Sequence, residues 1–272
     1  MGSPVLATIR LTLYLLFTLL LMPVQWVALR TSPRLAVALP LFYHRICLRI
    51  LGMRVERHGE GNGRHPTLFV VNHCSYLDIA VLGSLIGGSF VAKAEVAGWP
   101  LFGWLAKLQR TVFVDRQRRA GVSGQRDEIA NRLEAGDDLI LFPEGTSSDG
   151  NRILPFKTAL FAVAERRVAA RPLVVQPVTI AYVRLDGIPL GHGLRPFYAW
   201  YGDMDLGGHL WKAAGLGDCT VAVEFHPPVT IDDFGSRKAL AAHCRAQIVA
   251  GMDRALAGRW SADDQPAAPA PA

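Results

Sequence analysis

The hydrophobic pattern of this chain changes character at Gly52, and that change separates two kinds of structure. Ahead of it, residues 11–22 read Leu-Thr-Leu-Tyr-Leu-Leu-Phe-Thr-Leu-Leu-Leu-Met, Pro23 follows, and residues 24–29 contain a single polar side chain, Gln25. A run this apolar is a membrane element. A cleaved signal peptide fits less well, because no persuasive small-residue cleavage site follows and basic residues stand on both sides of the run. Crossing a bilayer takes about 20 apolar residues, and Pro23 divides this run into a 12-residue piece and a shorter one. A tilted span and a re-entrant or interfacial helix pair are therefore both compatible with it. Residues 35–51 carry arginines too often to span and suit a helix lying in the interface with its arginines snorkelling.

Beyond Gly52, short β-rich runs alternate with helical segments, the signature of an α/β domain. Strands are expected at 67–71, 89–92, 111–114, 138–142, 174–182, 196–201 and 220–226, and helices at 77–85, 100–108, 123–135, 157–168 and 237–256. The fold class is a mixed, largely parallel central sheet flanked by helices, with a membrane-docking helical region at the N-terminus. Residues 1–52 form the membrane-anchoring part, 53–260 the catalytic domain, and 261–272, rich in Pro and Ala, a disordered tail. Leu210, Trp211 and Leu216 occur in a Gly-rich connection with no clear element.

The formal net charge is +6, which suits an anionic surface of some kind. Arg10, Arg30, Arg34, Arg45, Arg49, Arg54 and Arg57 all precede residue 61, are answered only by Glu56 and Glu60, and flank the apolar stretch instead of forming a basic tail. That distribution favours an anionic membrane and argues against nucleic acid. Cys47, Cys74, Cys219 and Cys244 show no paired spacing of the zinc or disulfide kind and read as free thiols in a reducing compartment.

The chemistry concentrates at strand ends. The run 67–71 leads directly into Asn72 and His73, so His73 projects from the carboxyl edge of the sheet, where open α/β sheets place their ligands. Asp78 follows at the start of a helix, where its carboxylate can hold one imidazole nitrogen and leave the other for a substrate. By spacing alone such a pair is more often a satisfied loop histidine beside a helix-start aspartate. Cys74 and Ser75 offer a rival nucleophile, but no nucleophile elbow surrounds them. The run 138–142 likewise enters Pro143-Glu144-Gly145-Thr146-Ser147-Ser148-Asp149-Gly150, with Arg152 and Lys157 downstream as cations for an anionic head group. Lys93 closes one strand and Arg116 another. His73, Lys93, Arg116 and Glu144 thus converge on one edge.

The ordered set Asn-His-Cys-Ser-Tyr-Leu-Asp, Val-Phe-Val-Asp-Arg, Phe-Pro-Glu-Gly-Thr-Ser-Ser and Val-Gln-Pro-Val resembles the four blocks of the glycerolipid acyltransferase family, over roughly residues 65–182. The resemblance implies that His73 and Asp78 are the catalytic dyad and that Arg116 and the Glu144-Gly145 turn hold the acceptor; Lys93, Thr146, Arg152 and Lys157 are the further candidates for binding it. It also implies that Gln176 and Pro177 line the acyl pocket. Where many phosphatidate-forming members have Thr-Arg-Ser, this chain has Thr146-Ser147-Ser148, a version similar to that of lyso-ornithine lipid acyltransferases.

The expected activity is acyl transfer from an acyl carrier protein or coenzyme A thioester to the hydroxyl of a lysolipid. The acceptor is expected to be 1-acylglycerol-3-phosphate, with lyso-ornithine lipid as the alternative. His73 acts as general base, the Gly145 loop offers backbone donors to the oxyanion, and no metal or cofactor is required. The expected location is the inner (cytoplasmic) membrane with the catalytic domain facing the cytoplasm. A lipid-binding protein without turnover and a thioesterase are the competing classes.

Overall fold

The computed structural model describes residues 2–63, 66–114, 122–168 and 170–259, so Arg116, the basic run to Arg119 and the tail 261–272 lie outside the described residues. The chain begins with two helices, α1 (Pro4–Thr31) and α2 (Pro33–Ile50). Ser32 both ends α1, through its N–H to the Ala28 carbonyl, and caps α2, through its hydroxyl to the Leu35 N–H. Pro33 then occupies the first turn, where no donor is needed. The helices form an antiparallel hairpin: Thr18 bonds Tyr43 at 2.8 Å, and Gln25 donates to the Ala36 carbonyl at 3.0 Å. Pro23 does not divide α1, which runs through it as one helix of 28 residues, long and apolar enough to cross a membrane.

The two faces of α1 explain its packing. Ile9, Leu13, Leu16, Leu20, Val24 and Val27 are exposed along one stripe, while Ala7, Arg10, Thr18, Gln25 and Ala28 are buried along the other. A helix on a water-soluble surface has the opposite arrangement. Both ends of α1 are bonded to the α/β body, the Ser3 N–H to Gly215 O at 2.8 Å and Gln25 Nε2 to Leu108 O at 3.1 Å, so α1 lies along that body instead of projecting from it.

Arg10, read from sequence as one of the cations beside the membrane, is turned into the protein. Its guanidinium donates to the carbonyls of Ala214 and Leu216 and pairs with Asp218 at 3.4 Å. Gly52 leaves the room for it, since a Cβ there would overlap the guanidinium. Arg10→Met keeps the apolar stem and removes these donors, and we expect a loss of about 1.5–3 kcal/mol, the worth of charge-assisted hydrogen bonds. Thermal unfolding in detergent, with proteolysis between α2 and the sheet as a second readout, checks this.

The body contains β1 (Met53–His58), β2 (Thr67–Val71), α3 (Leu77–Gly83), β3 (Ser89–Lys93), α4 (Phe102–Leu108), β4 (Val112–Val114), α5 (Val122–Glu134) and β5 (Leu139–Leu141). A short ribbon of β6 (Arg167–Val168) and β7 (Arg171–Pro172) precedes β8 (Val174–Leu185) and β9 (Ile188–Pro189). Then come α6 (Leu206–Ala214), β10 (Cys219–Phe225) and α7 (Arg237–Leu256). The main sheet has the order β1-β10-β8-β2-β5-β3-β4, with β9 paired to β8. From β8 to β4 every pairing is parallel; β10 is antiparallel to β8, and β1 follows β10. β2 is buried throughout because both its faces are covered. Phe69 and Val71 enter the core shared with α2, α3 and α6, whereas Leu68 and Val70 enter the core beneath α5 and α7.

Three expectations differ from this fold. Residues 196–201 are not a strand: a 3-10 turn at Arg195–Phe197 leads to a segment whose Trp200 N–H bonds the Cys74 carbonyl instead of a sheet neighbour. Pro196, which has no N–H to give, suits this better than a ladder. The helix expected at 157–168 is a 3-10 helix, Thr158–Glu165, followed by β6. The Gly-rich connection contains α6, which Asp205 caps by accepting from the Gly208 N–H.

Candidate active site

Parallel strands bring their carboxyl ends to one edge, and there β2 delivers Asn72 and His73. The Asn72 amide bonds both the Ile180 carbonyl and the Ile180 N–H, extending the β2–β8 pairing one step so that the next residue leaves in a defined direction. His73 stands at that exit with its ring stacked on Phe142 at 4.0 Å between centroids. Asp78, in the first turn of α3, reaches back to His73 Nδ1 at 2.8 Å. The same carboxylate accepts the N–H groups of Cys74 at 2.8 Å and Ser75 at 3.0 Å, and its other oxygen accepts the Tyr182 hydroxyl at 2.8 Å. It is wholly buried.

A carboxylate only accepts, so Nδ1 carries the hydrogen and Nε2 keeps its lone pair. Among the described residues nothing is bonded to Nε2, and the His73 side chain retains 21% exposure. The pair is thus able to take a proton at Nε2 from a bound hydroxyl while the fixed charge of Asp78 balances the imidazolium.

Glu144 acts on the same loop from behind. Its oxygens accept the backbone N–H of His73 at 2.8 Å and of Leu154 at 2.7 Å, and the Ser148 N–H donates to the His73 carbonyl at 2.9 Å. The Glu144 carboxylate therefore ties the two strand-end loops together and is not presented to a ligand. Burial pushes its carboxyl up to about 7, against the lowering by the two backbone donors. With the folded value above the ordinary 4.5, the folded protein holds a proton that the unfolded chain has lost. Glu144's contribution to stability is therefore complete below about pH 4.5 and declines as pH rises to about 7. We expect Glu144→Gln to flatten the dependence of Tm on pH across that window. It should also lower activity, because an amide places an NH₂ against one of the two buried N–H donors, a mismatch of about 1–3 kcal/mol.

The rival nucleophiles are enclosed. Burial, with the nearby Asp78 charge, holds the Cys74 thiol well above its ordinary value, and Ser75 is fully buried with its hydroxyl accepting the Leu77 N–H. Of the residues expected to bind a ligand, Lys93 is exposed at the end of β3, and Thr146, Arg152 and Lys157 are exposed around the second loop. The Gly145 N–H donates to the Phe142 carbonyl at 3.2 Å, and its positive φ of 72° is one that glycine adopts without strain. Gln176 is fully buried, bonded to the Asn62 N–H and to the carbonyls of Glu60 and His226. Neither it nor Pro177 lines the large apolar cavity.

That cavity, of ≈ 210 Å³, lies between the helical hairpin and the sheet, bounded by Tyr14, Leu21, Tyr43, Leu105 and Leu210, and it reaches Tyr76 and Leu77 beside the dyad. Sequence reading missed Tyr182 and Trp200. A tyrosine inside an apolar strand is itself a signal, since a buried phenol finds a polar partner; Trp200, acting through its backbone, left none.

The class these features define is an acyltransferase, and the chain belongs to the acyltransferase family, whose model matches residues 54–181. A lyso-ornithine lipid O-acyltransferase of Brucella abortus is 45% identical to it, over 89% of this chain and 92% of that one. A protein of the same name from Rhizobium meliloti is 40% identical, over 91% and 86%. A 1-acyl-sn-glycerol-3-phosphate acyltransferase of Neisseria gonorrhoeae is 32% identical over 64% of each chain. The crystal structure of the 1-acyl-sn-glycerophosphate acyltransferase of Thermotoga maritima shares the fold, with a TM-score of 0.62 at 22% identity, covering 94% of this chain and 99% of that one.

Proposed function

We propose that this enzyme is a lyso-ornithine lipid O-acyltransferase, moving a fatty acyl group from a thioester to a hydroxyl of a lysolipid with an ornithine head group. The observation that carries the transfer step is His73, oriented through Nδ1 by buried Asp78 and open at Nε2. As the acceptor oxygen attacks the thioester carbonyl, Nε2 takes its proton; when the tetrahedral intermediate collapses, the imidazolium returns that proton to the departing thiolate. The products are an ester and a free thiol. The apolar cavity beside Tyr76 and Leu77 is suited to an acyl chain.

The choice of acceptor reverses the order expected from sequence, where 1-acylglycerol-3-phosphate came first. Two relatives acting on lyso-ornithine lipid match nearly the whole chain at 40–45% identity, against 32% over 64% for the phosphate-acceptor relative. The missing arginine agrees with them, because Ser147 stands in its place and donates to the Trp200 carbonyl. The donor is an acyl carrier protein or coenzyme A thioester. The exposed aliphatic stripe of α1, with Trp104 and Trp211, enters an anionic bilayer surface, which we take to be the cytoplasmic face of the inner membrane.

Purified membranes containing the enzyme, given each thioester with lyso-ornithine lipid or 1-acylglycerol-3-phosphate, test the reading directly. Acylated ornithine lipid is the expected product. Release of free fatty acid alone would make it a thioesterase, and phosphatidic acid alone would restore the phosphate acceptor.

A further inference from the structure

Beside the dyad lies a small mixed-charge cluster that the transfer chemistry does not use. It is formed by Asp149 and Arg152 of the second loop and by Arg195 in the turn that follows β9. A methyl group at Gly150 would touch both the Arg195 side chain at 3.8 Å and the Cys74 sulfur at 3.9 Å, which places Arg195 against the loop that carries His73. Ser148, next to Asp149, is the residue bonded to the His73 carbonyl.

Each member of the cluster has unused capacity. Asp149 Oδ1 accepts the Asn151 N–H at 3.1 Å and faces Arg152 Nε at 3.8 Å, while among the described residues its Oδ2 has no partner. Arg195 is held by Nε to the Leu190 carbonyl and by Nη1 to Asn151 Oδ1, which leaves Nη2 open among the described residues. Arg152 is 73% exposed and, among the described residues, has only the long contact to Asp149. Two anchored groups of opposite charge and one exposed cation thus stand on and against the loop whose Ser148 is bonded to the His73 backbone.

We propose that Asp149, Arg152 and Arg195 form the head-group site, Asp149 binding the ammonium and the two arginines the carboxylate of a zwitterionic amino-acid head group. The inference rests on the acceptor assigned above and deepens it. Ornithine has no hydroxyl, so O-acylation must occur on a hydroxyl of the fatty chain already attached to it. The head group then lies several bonds beyond the reacting oxygen and meets the side chains neighbouring the dyad. A chain joined to ornithine as an amide uses one of its two amines and leaves one ammonium and one carboxylate, which matches one acidic and two basic groups. A phosphomonoester has no cation to offer Asp149 and would be repelled by it, so Asp149 selects against phosphate while the arginines alone would not.

The test compares three acceptors on the full-length, membrane-bound enzyme: lyso-ornithine lipid, the same lipid with its ammonium acetylated, and the same lipid with its carboxylate as methyl ester. The wild type should show a KM about 10-fold or more lower for the unmodified lipid than for either derivative, as expected for a lost charge-assisted hydrogen bond. Asp149→Asn, whose Oδ1 still accepts the Asn151 N–H, should erase the preference for the free ammonium and keep that for the free carboxylate. Arg152→Ala should do the reverse, reducing the carboxylate preference. A loop damaged merely in structure would lower kcat for all three acceptors alike and leave the preferences standing, and that result overturns the head-group site while leaving the acceptor assignment intact. Should the wild type acylate only 1-acylglycerol-3-phosphate, the acceptor assignment and the site both fall.

Discussion

His73→Ala will leave a folded, membrane-associated protein whose acyl transfer has fallen by about 10²- to 10⁴-fold, the usual contribution of a positioned general base. The fold should survive because the loop is held by its backbone: the His73 N–H donates to Glu144, its carbonyl accepts from Ser148, and Cys74 and Ser75 still donate to Asp78. What disappears is the imidazole stacked on Phe142 and its open Nε2. The loss should fall on kcat, with membrane binding and Tm near those of the wild type. Activity within a few fold of wild type would remove His73 from the mechanism and return the search to the other groups at this edge.

Asp78→Asn will lose activity on the same scale for a different reason, and will also lose stability. An amide supplies one oxygen and one NH₂ where the carboxylate satisfied five donors: His73 Nδ1, the Cys74 and Ser75 N–H groups, the Tyr182 hydroxyl and, at 3.8 Å, the Cys74 thiol. If the NH₂ faces His73, Nδ1 must accept, the hydrogen moves to Nε2, and the base is blocked. If it faces Tyr182 instead, the charge opposite the imidazolium is still gone. Leaving a buried donor unpaired costs about 1–3 kcal/mol, so Tm should drop as well as kcat. Tyr182→Phe separates the two effects. It removes a single donor to Oδ1 and keeps the charge, and should lower stability modestly while most of the transfer rate persists. Equal inactivation by both substitutions would instead make the Asp78 network purely structural.

Much of the site was legible because the chemistry and the fold share one local rule. A short apolar run ending in a polar residue marks a strand's carboxyl end, and a helix-start aspartate shortly after it points back at that end. His73 and Asp78 satisfied both conditions, and the exit of β5 into Glu144 satisfied the first. The role of Glu144 was not legible, since an exposed ligand carboxylate and a buried one bonded to the backbone have the same sequence neighbourhood. Only the approach of the His73 and Leu154 N–H groups distinguishes them. Segment 191–205 was the least legible: its aromatics mimic a strand, its glycines mimic a loop, and it contains neither a long apolar period nor a strand. Its conformation follows from bonds to Cys74, Ser147 and Asn151, all distant in the chain.

From its sequence alone this protein was determined to be an α/β domain with an apolar N-terminus and a histidine–aspartate pair at a strand end, because periodicity, strand-exit position and residue order are local properties. Tertiary structure alone decided which way the shared side chains face. It turned Arg10 into the body instead of toward a bilayer, laid α1 along the sheet's helical layer, committed Glu144 to the backbone, and brought Arg195 alongside Asp149. The physical reason is the same in each case: whether a polar group meets water, lipid, substrate or backbone depends on partners separated from it by tens to hundreds of residues, and only the folded chain brings them together.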